Sequence, residues 1–411
     1  RVAGQAGGAA ADIRTEGKLH MAEGPLAGFR ILDLTQVVSG PFCAMLLGDL
    51  GADVVKIEPP EGDTTRRIGR PRKNGVTASF LNFNRNKRSV VIDLKKEQGR
   101  DLVRMLAVRA DAFIENNRPG VADRLGIGYA DIRRLNPKIV YCSICGFGPK
   151  GRYANAPAYD PVIQCFSTMA ALQGRRGGQP TVVKMALADK ISGMTAALSI
   201  VSALHAARNR GVGQNIRIPM VEAMMAFTCN DTMVGYTFVP EDEYKDQAPK
   251  SQSLDPFPTK DGWISIAPFT DEQFERLCLG VGHHEWWTEV ADRTERIRGI
   301  LRGLAKTLPD RTTAEWLEVL EKADVPVGRV NDYETLFTDE EIVANENFTL
   351  YEHPDAGTVR TVNPGARFSE TPARMWRTPP RLGENTEEVL RELGVERSTI
   401  EELRTSKVIN S

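Results

Sequence analysis

Histidine and cysteine are scarce in this chain, five and six among 411 residues. No two histidines have ligand spacing on an expected helix, and the adjacent pair His283–His284 would point apart, so no catalytic metal is expected. The cysteines, at 43, 142, 145, 165, 229 and 278, lack the spacing of a disulfide framework, which fits a reducing, cytoplasmic setting. The one CxxC, Cys142 to Cys145, falls in an apolar, strand-like run from Ile139 to Phe147. Redox CxxC motifs open a helix, so the two thiols are read as facing one side of a buried strand. Charge of one sign is also missing. The formal net charge is −1, so bulk charge points to neither nucleic acid nor an anionic membrane. No stretch reads as long and apolar enough to span a bilayer. Residues 1–20, rich in Gly, Ala and charge, lack an apolar signal segment and read as a vector-derived leader outside the fold.

What is present is an alternation of strands and helices. Arg30 to Thr35 reads as a buried strand, Pro41 to Leu50 as a helix ended by Gly51, and Ala52 to Glu58 as the next strand. This βαβ unit has no GxGxxG, so no dinucleotide is inferred. Strands at Val90–Leu94, Asp111–Asn116 and Ile139–Phe147 alternate with helices at Glu97–Arg109 and Ala122–Leu135. That pattern predicts a mostly parallel sheet with helices on both faces. Ile191 to Arg208 repeats apolar residues at the helical period, and Gln214–Pro219 and Met220–Thr228 supply a further strand and helix. Residues 229–258 read as a loop into a smaller α+β domain. The expected division is 21–228 for a large α/β domain, 229–340 for linker and small domain, and 341–411 for a return segment packed on the large one. With 41% hydrophobic residues the chain is long enough for two cores.

Open α/β sheets bind ligands beyond the carboxyl ends of their strands. Those ends carry Gln36 to Ser39, Glu58, Lys95, Asn116-Asn117-Arg118 and Gly146-Phe147-Gly148. Arg118, Arg124 and Lys95 suit phosphates. Taken singly, each is as well explained as a turn or surface charge, and Asn86-Lys87-Arg88 reads as a solvated basic turn. Tyr159 and Asp160, in a loop, could position a substrate carbonyl. Asp189 stands where an apolar run meets the long helix. There the helix dipole favours an ionised carboxylate, which can attack an activated acyl group. By position alone such an Asp is more often only a cap.

Taken in order, the runs Gly28 to Thr35, Ser39 to Ala44, Leu47 to Glu58, Asn84 to Ser89, Leu125-Gly126, Leu135 to Pro137, Leu187 to Asp189, Gly211 to Gln214 and Pro379 to Glu384 make a specific pattern. The chain resembles the family III CoA transferases, the group that includes formyl-CoA transferase, carnitine CoA transferase and α-methylacyl-CoA racemase. The resemblance implies a Rossmann-like large domain, a small domain and an interlocked homodimer. It implies that CoA moves from an acyl-CoA to a carboxylic acid, with Asp189 attacking the thioester to form an aspartyl anhydride and then an aspartyl-CoA thioester. CoA is a substrate here, with no tightly bound cofactor. Its contacts map onto Val38, Ser39, Ile92, Lys95, Asn116, Arg118 and Arg124, with Tyr159 and Asp160 beside them.

Two departures matter. Pro59 stands where formyl-CoA transferase has an Arg, and residues 247–258 stand where it has a Gly-rich loop. The racemase His maps to Tyr159, and a phenol with pKa near 10 is a poor base for an α-proton, which argues against racemase or epimerase activity. A catalytically silent CoA-binding protein is the remaining alternative, and Asp189 argues against it. Lys184, Arg175 and Arg176 near the expected site would suit a dicarboxylate.

Overall fold

The computed structural model describes residues 23–174, 178–240 and 255–410. The leader, the Arg175–Arg176 pair and most of 247–258 lie outside the described residues. The chain divides into two compact units, one reaching Met233 and resuming at Asn347, the other spanning Val234–Glu346.

The first unit is built on six parallel strands: β1 (Arg30–Asp33), β2 (Asp53–Glu58), β3 (Lys87–Val91), β4 (Ala112–Glu115), β5 (Val140–Cys145) and β6 (Asn215–Pro219). They lie in the order β3-β2-β1-β4-β5-β6, every neighbouring pair parallel. The order reverses between β1 and β4, and an open sheet offers a ligand crevice at that point. Because both faces are covered, alternate apolar residues of the strands enter two different cores. Ile31, Val54, Ile114 and Cys142 face a core shared with helices α1 (Ser39–Asp49) and α4 (Leu187–Arg210). Leu32, Val55, Phe113 and Tyr141 face the other core, with helix α2 (Glu97–Val108) and the C-terminal residues Val389, Leu390, Ile400 and Leu403. The return segment thus completes one face of the sheet. Its last helix, Arg397–Thr405, was not anticipated; it shows a sharp apolar stripe but carries few apolar residues to announce it.

Three expectations need correcting. Cys142 and Cys145 are three residues apart on a strand, so they face opposite sides. Cys142 is in the α1/α4 core, whereas Cys145 is half-buried on the other face, its thiol pushed up to about 11 by burial. Helix α4, at 24 residues, is long and apolar enough to cross a membrane. It buries Ala188, Ile191, Ala196, Ile200 and Leu204 in the core instead. Finally, Asn86, Lys87 and Arg88 are buried rather than solvated, because the strand begins at Lys87, three residues before its apolar run.

Lys87, on the edge strand β3, anchors a fully buried ionic cluster that spans β3, β2 and β1. Its Nζ donates to Asp33 Oδ2, Pro41 O and Asn84 Oδ1, each at 2.9 Å. Lys56, on the neighbouring strand, pairs with Asp63 at 2.9 Å and donates to Thr35 O at 2.8 Å. Glu58 accepts a two-pronged contact from Arg66 at 2.7 and 2.8 Å and a bond from Ser89 Oγ at 2.6 Å. Burial would raise the Asp33 carboxyl, but Lys87 and Lys56 outweigh it and hold it below its ordinary value. Burial pushes Lys87 down to about 8 despite Asp33.

The second unit is a three-stranded antiparallel sheet (Phe257–Pro258, Trp263–Ile266, Val327–Arg329) covered by helices Asp271–Gly280, Arg293–Thr307 and Thr313–Lys322. Capping boxes at Thr270 and Thr312 start two of these helices. Trp316 fills the core and donates Nε1–H to Leu308 O at 2.8 Å.

Lys87→Ala should therefore strand Asp33 beside a single remaining cation. The expected loss is roughly 3–5 kcal/mol for unfolding of the first unit, the cost of breaking a buried pair. Urea denaturation compared with an exposed control, Lys322→Ala, measures it, and equal losses for the two variants would contradict the cluster's role.

Candidate active site

The loop after β1 is shaped by the ionic cluster beneath it. Asp33 Oδ1 accepts from the N–H of Thr35 at 2.9 Å and from its hydroxyl at 2.5 Å. Gln36 and Asn116, from the ends of β1 and β4, exchange two bonds: Gln36 N–H to Asn116 Oδ1 at 2.9 Å, and Asn116 Nδ2 to Gln36 O at 2.8 Å. Between them and α1, Val37 sits at φ +74°. A β-branched residue in that region is strained, and such strain persists where the surroundings over-determine it. The loop delivers Ser39 to the first turn of α1.

Helix α4 reaches this loop because Gly193 lets the two backbones touch. A Cβ there would lie 2.6 Å from Ser39 O. One turn earlier is Asp189, inside the helix at its third residue and making no cap, since the helix begins at Leu187. Helix α3 (Asp160–Phe166) brings Asp160 beside it: Asp160 Oδ1 accepts the Asp189 backbone N–H at 3.1 Å. Gln164, one turn further along α3, donates to Asp160 Oδ2 at 2.6 Å.

Together these groups border a cleft of about 230 Å³ over the β1/β4 switch point. Its walls include Val37, Ser39, Asn116, Arg118, Tyr159 and Asp189. Of the residues given a catalytic or CoA-binding role from the sequence, five therefore converge: Ser39, Asn116, Arg118, Tyr159 and Asp189. The others are placed differently. Asp160 lies behind Asp189, buried, and opens α3 rather than sitting in a loop. Val38 is half-buried just before α1, and its neighbour Val37 forms the wall. Ile92 is fully buried among the α2-side core residues, so its side chain cannot touch a ligand in the cleft. Lys95 and Arg124 are exposed and outside the cleft walls; Arg124 lies against Gly120, just past the Arg118 turn. Lys184 is exposed on the segment leading to α4. Sequence reasoning missed Gln164, although Asp160 and Gln164 are four residues apart at a helix start, a spacing that puts both on one face.

The state of Asp189 differs from the expectation drawn from its helix position. Burial raises its carboxyl first, the Asp160 carboxylate raises it further, and the Ser39 hydroxyl offsets only part, leaving it pushed up to about 7. Two carboxylates this close resist double ionisation, and here that outweighs the helix dipole. A carboxyl titrating near neutrality in a cleft fits covalent or acid–base chemistry. Among the described residues no group of His, Cys, Asp and Glu could hold a metal ion.

Comparison with known proteins bears on that chemistry. Residues 26–386 match the sequence model of CoA-transferase family III. The succinate–glutarate CoA-transferase of Agrobacterium fabrum is 36% identical over 394 residues, covering 90% of this chain and 96% of the relative. The succinyl-CoA:glutarate CoA-transferase of Mus musculus is 32% identical, covering 94% and 90%. The beta subunit of the succinyl-CoA–L-malate CoA-transferase of Chloroflexus aurantiacus is 33% identical, covering 94% and 98%. The crystal structure of a CAIB/BAIF family protein from Brucella suis superposes with TM-score 0.78 at 30% identity, covering 90% and 99%.

The raised Asp189 carboxyl has a consequence for stability. In the unfolded chain it ionises near 4, in the folded protein near 7, so between these values the folded state holds the extra proton. The folded state's advantage is present at low pH and is lost as pH rises through that window. Asp189→Asn should accordingly stabilise the protein at pH 8, by on the order of 2–4 kcal/mol, and much less at pH 4. Melting curves of both proteins at the two pH values test this; a pH-independent difference would show that Asp189 is not so perturbed.

Proposed function

We propose that this chain, which belongs to CoA-transferase family III, moves CoA between dicarboxylic acids with Asp189 as covalent carrier. It is a CoA transferase, and acyl-CoA and a carboxylic acid are its substrates. The observation that carries the finer reading is the Asp189 carboxyl in the wall of the switch-point cleft, against Ser39 and Asp160.

In this reading the ionised Asp189 attacks the thioester carbonyl. The carbon–sulfur bond breaks, CoA leaves as thiolate, and a mixed anhydride remains. The thiolate then attacks the aspartyl carbonyl, giving an aspartyl-CoA thioester and freeing the donor acid. The acceptor carboxylate attacks that thioester in turn, and the thiolate released takes the acceptor acyl group from the second anhydride. Each step exchanges one carboxylate or thiolate for another, so no net proton transfer is needed and the residual acidity of Asp189 sets how much enzyme is poised. Ser39 and the first turn of α1 face the cleft and suit the negative charge that develops on the attacked carbonyl oxygen.

In this reading CoA lies over the Rossmann-like strand ends, with Val37, Ser39 and Asn116 lining its thioester end, Val38 half-buried beside them, and Arg118, Arg124 and Lys95 towards its phosphates. Ile92 would contribute through its backbone alone. Remote binding of this kind holds a thioester against its nucleophile. Succinyl-CoA paired with a second dicarboxylate is the favoured combination, because the relatives are named for glutarate and malate and because Lys184, exposed on the segment leading to α4, offers a cation. Exposed apolar side chains on the first unit, Phe166, Met194, Leu198 and Phe227, support a homodimer. The scattered free cysteines support a cytoplasmic setting.

Succinyl-CoA offered with a panel of mono- and dicarboxylic acids, the products read by mass spectrometry, should yield dicarboxyl-CoA products. Turnover of monocarboxylic acceptors alone would remove the dicarboxylate assignment. Hydroxylamine added with the donor should leave a hydroxamate on Asp189, and Asp189→Ala should lose transfer by several orders of magnitude. Near wild-type turnover in that variant would end the covalent reading.

Light scattering at micromolar concentration should give twice the chain mass of 45.4 kDa. A monomer would contradict the dimer.

A further inference from the structure

Gln164 makes several polar contacts beside the site, yet it does not line the cleft. It is almost fully buried on α3. Its Nε2 donates to Asp160 Oδ2 at 2.6 Å and lies 3.2 Å from both Val183 O and Met185 O. Its Oε1 accepts the Val183 N–H at 2.8 Å. One amide thus grips two things at once: the far oxygen of Asp160, and the extended segment Val183–Met185. That segment runs directly into α4, where Leu187 N–H donates to Met185 O at 2.8 Å. The near oxygen of Asp160 meanwhile accepts the Asp189 N–H at 3.1 Å. The result is a closed ring of contacts from α3 through Gln164 to the entry of α4, and back through Asp160 to the Asp189 backbone.

We propose that Gln164 is the positioning residue of the reaction, holding the Asp160 carboxylate against Asp189 and fixing the start of the helix that presents Asp189 to the thioester. The proposal rests on the reading of Asp189 as the nucleophile and adds to it a residue that touches neither substrate nor reacting atom. Only a neutral group with donors and an acceptor can do this. A glutamate has no proton to offer Asp160 and would set a third carboxylate against it, while an apolar side chain would satisfy neither Asp160 nor the Val183 N–H. The geometry also selects one conformation of Asp160. With Oδ2 held by Gln164 and Oδ1 by Asp189 N–H, the carboxylate cannot rotate away from Asp189.

The surroundings of Asp189 are few enough to isolate this effect. Helix α1 offers the Ser39 hydroxyl, α3 offers Asp160, and β5 contributes Ile144 and Cys145 to the same cleft, the thiol being protonated at neutral pH. The helix that follows β6 contributes Met220, and the turn after β4 contributes Arg118. Lys190 adjoins Asp189 on its own helix. Asp160 is the one neighbouring anion among these, and burial together with that anion is what raises Asp189. Releasing Asp160 therefore has a readable signature that simple loosening of the fold does not: Asp189 should titrate lower.

The test follows hydroxamate formation on Asp189, with hydroxylamine and succinyl-CoA, as a function of pH in wild type, Gln164→Met, Gln164→Glu and Asp160→Asn. Circular dichroism and melting temperature certify that each is folded. Wild type should show adduct formation rising with pH through about 7. Gln164→Met should lower kcat by on the order of tenfold to a hundredfold, as expected when a reacting group is misplaced. Its acyl-CoA KM should stay unchanged, and its midpoint should move down towards that of Asp160→Asn. Gln164→Glu should lose at least as much rate. A folded Gln164→Met with the wild-type midpoint or the wild-type kcat overturns the proposal, and so does failure of both Gln164 variants to fold, since that marks a purely structural residue. Absence of any adduct on Asp189 in wild type is a separate outcome. It would defeat the nucleophile reading itself, and this proposal with it.

Discussion

Two lysines and three carboxylates buried together along one side of a parallel sheet are the constraint from which the rest of the first unit follows. Lys56 and Lys87 occupy neighbouring strands with their side chains fully enclosed, and Asp33, Asp63 and Glu58 surround them. Such an arrangement is expensive to desolvate and tolerable only when each charge has its partners. Meeting that condition dictates geometry. Lys87 must reach the Pro41 carbonyl and Lys56 the Thr35 carbonyl, which fixes both ends of the loop carrying Val37 and Ser39. Glu58 must hold Arg66, and Arg66 in turn reaches Pro380 O, which ties the return segment to the same cluster. The loop that forms one wall of the cleft is therefore tied at both ends to the buried cluster.

The opposite wall depends on a different device, close approach of backbone. Gly193 allows α4 to lie directly on the start of α1, and so the Asp189 carboxyl comes within reach of the Ser39 hydroxyl. Helix α3 then closes the arrangement from a third direction through Asp160 and Gln164. The Asp189 carboxyl is buried, next to another anion and supported by one hydroxyl, which keeps it protonated part of the time at neutral pH. The fold therefore holds a small electrostatic penalty at Asp189, which an uncharged side chain there would relieve.

How much of this was readable without coordinates depends on how local each feature is. The six strands and the long helix announce themselves through continuous apolar runs and a 3.6-residue period, and Gln36, Ser39, Asn116 and Arg118 follow from the rule that ligands sit at strand ends. Lys87 and Arg88 were misread because three consecutive polar residues before a strand look the same whether they face water or an ion-pair partner 54 residues earlier. Cys142 and Cys145 were misassigned by overlooking the two-residue period of a strand. Ile92, suggested by resemblance, is a core side chain, since its position in the strand end turns it inward.

By itself the amino-acid sequence determined the class of fold and the family, and singled out Asp189 as the candidate carboxylate, because hydrophobic periodicity and the order of short motifs are properties of adjacent residues. The tertiary structure alone decided the state of that carboxylate. Asp160 lies 29 residues before Asp189 and Ser39 lies 150 before it, and nothing in their spacing along the chain says that they meet. Burial and the nearness of a second charge set a group's acidity, and both are products of packing between distant segments. The sequence supplied a carboxylic acid; the fold set the pH at which it ionises.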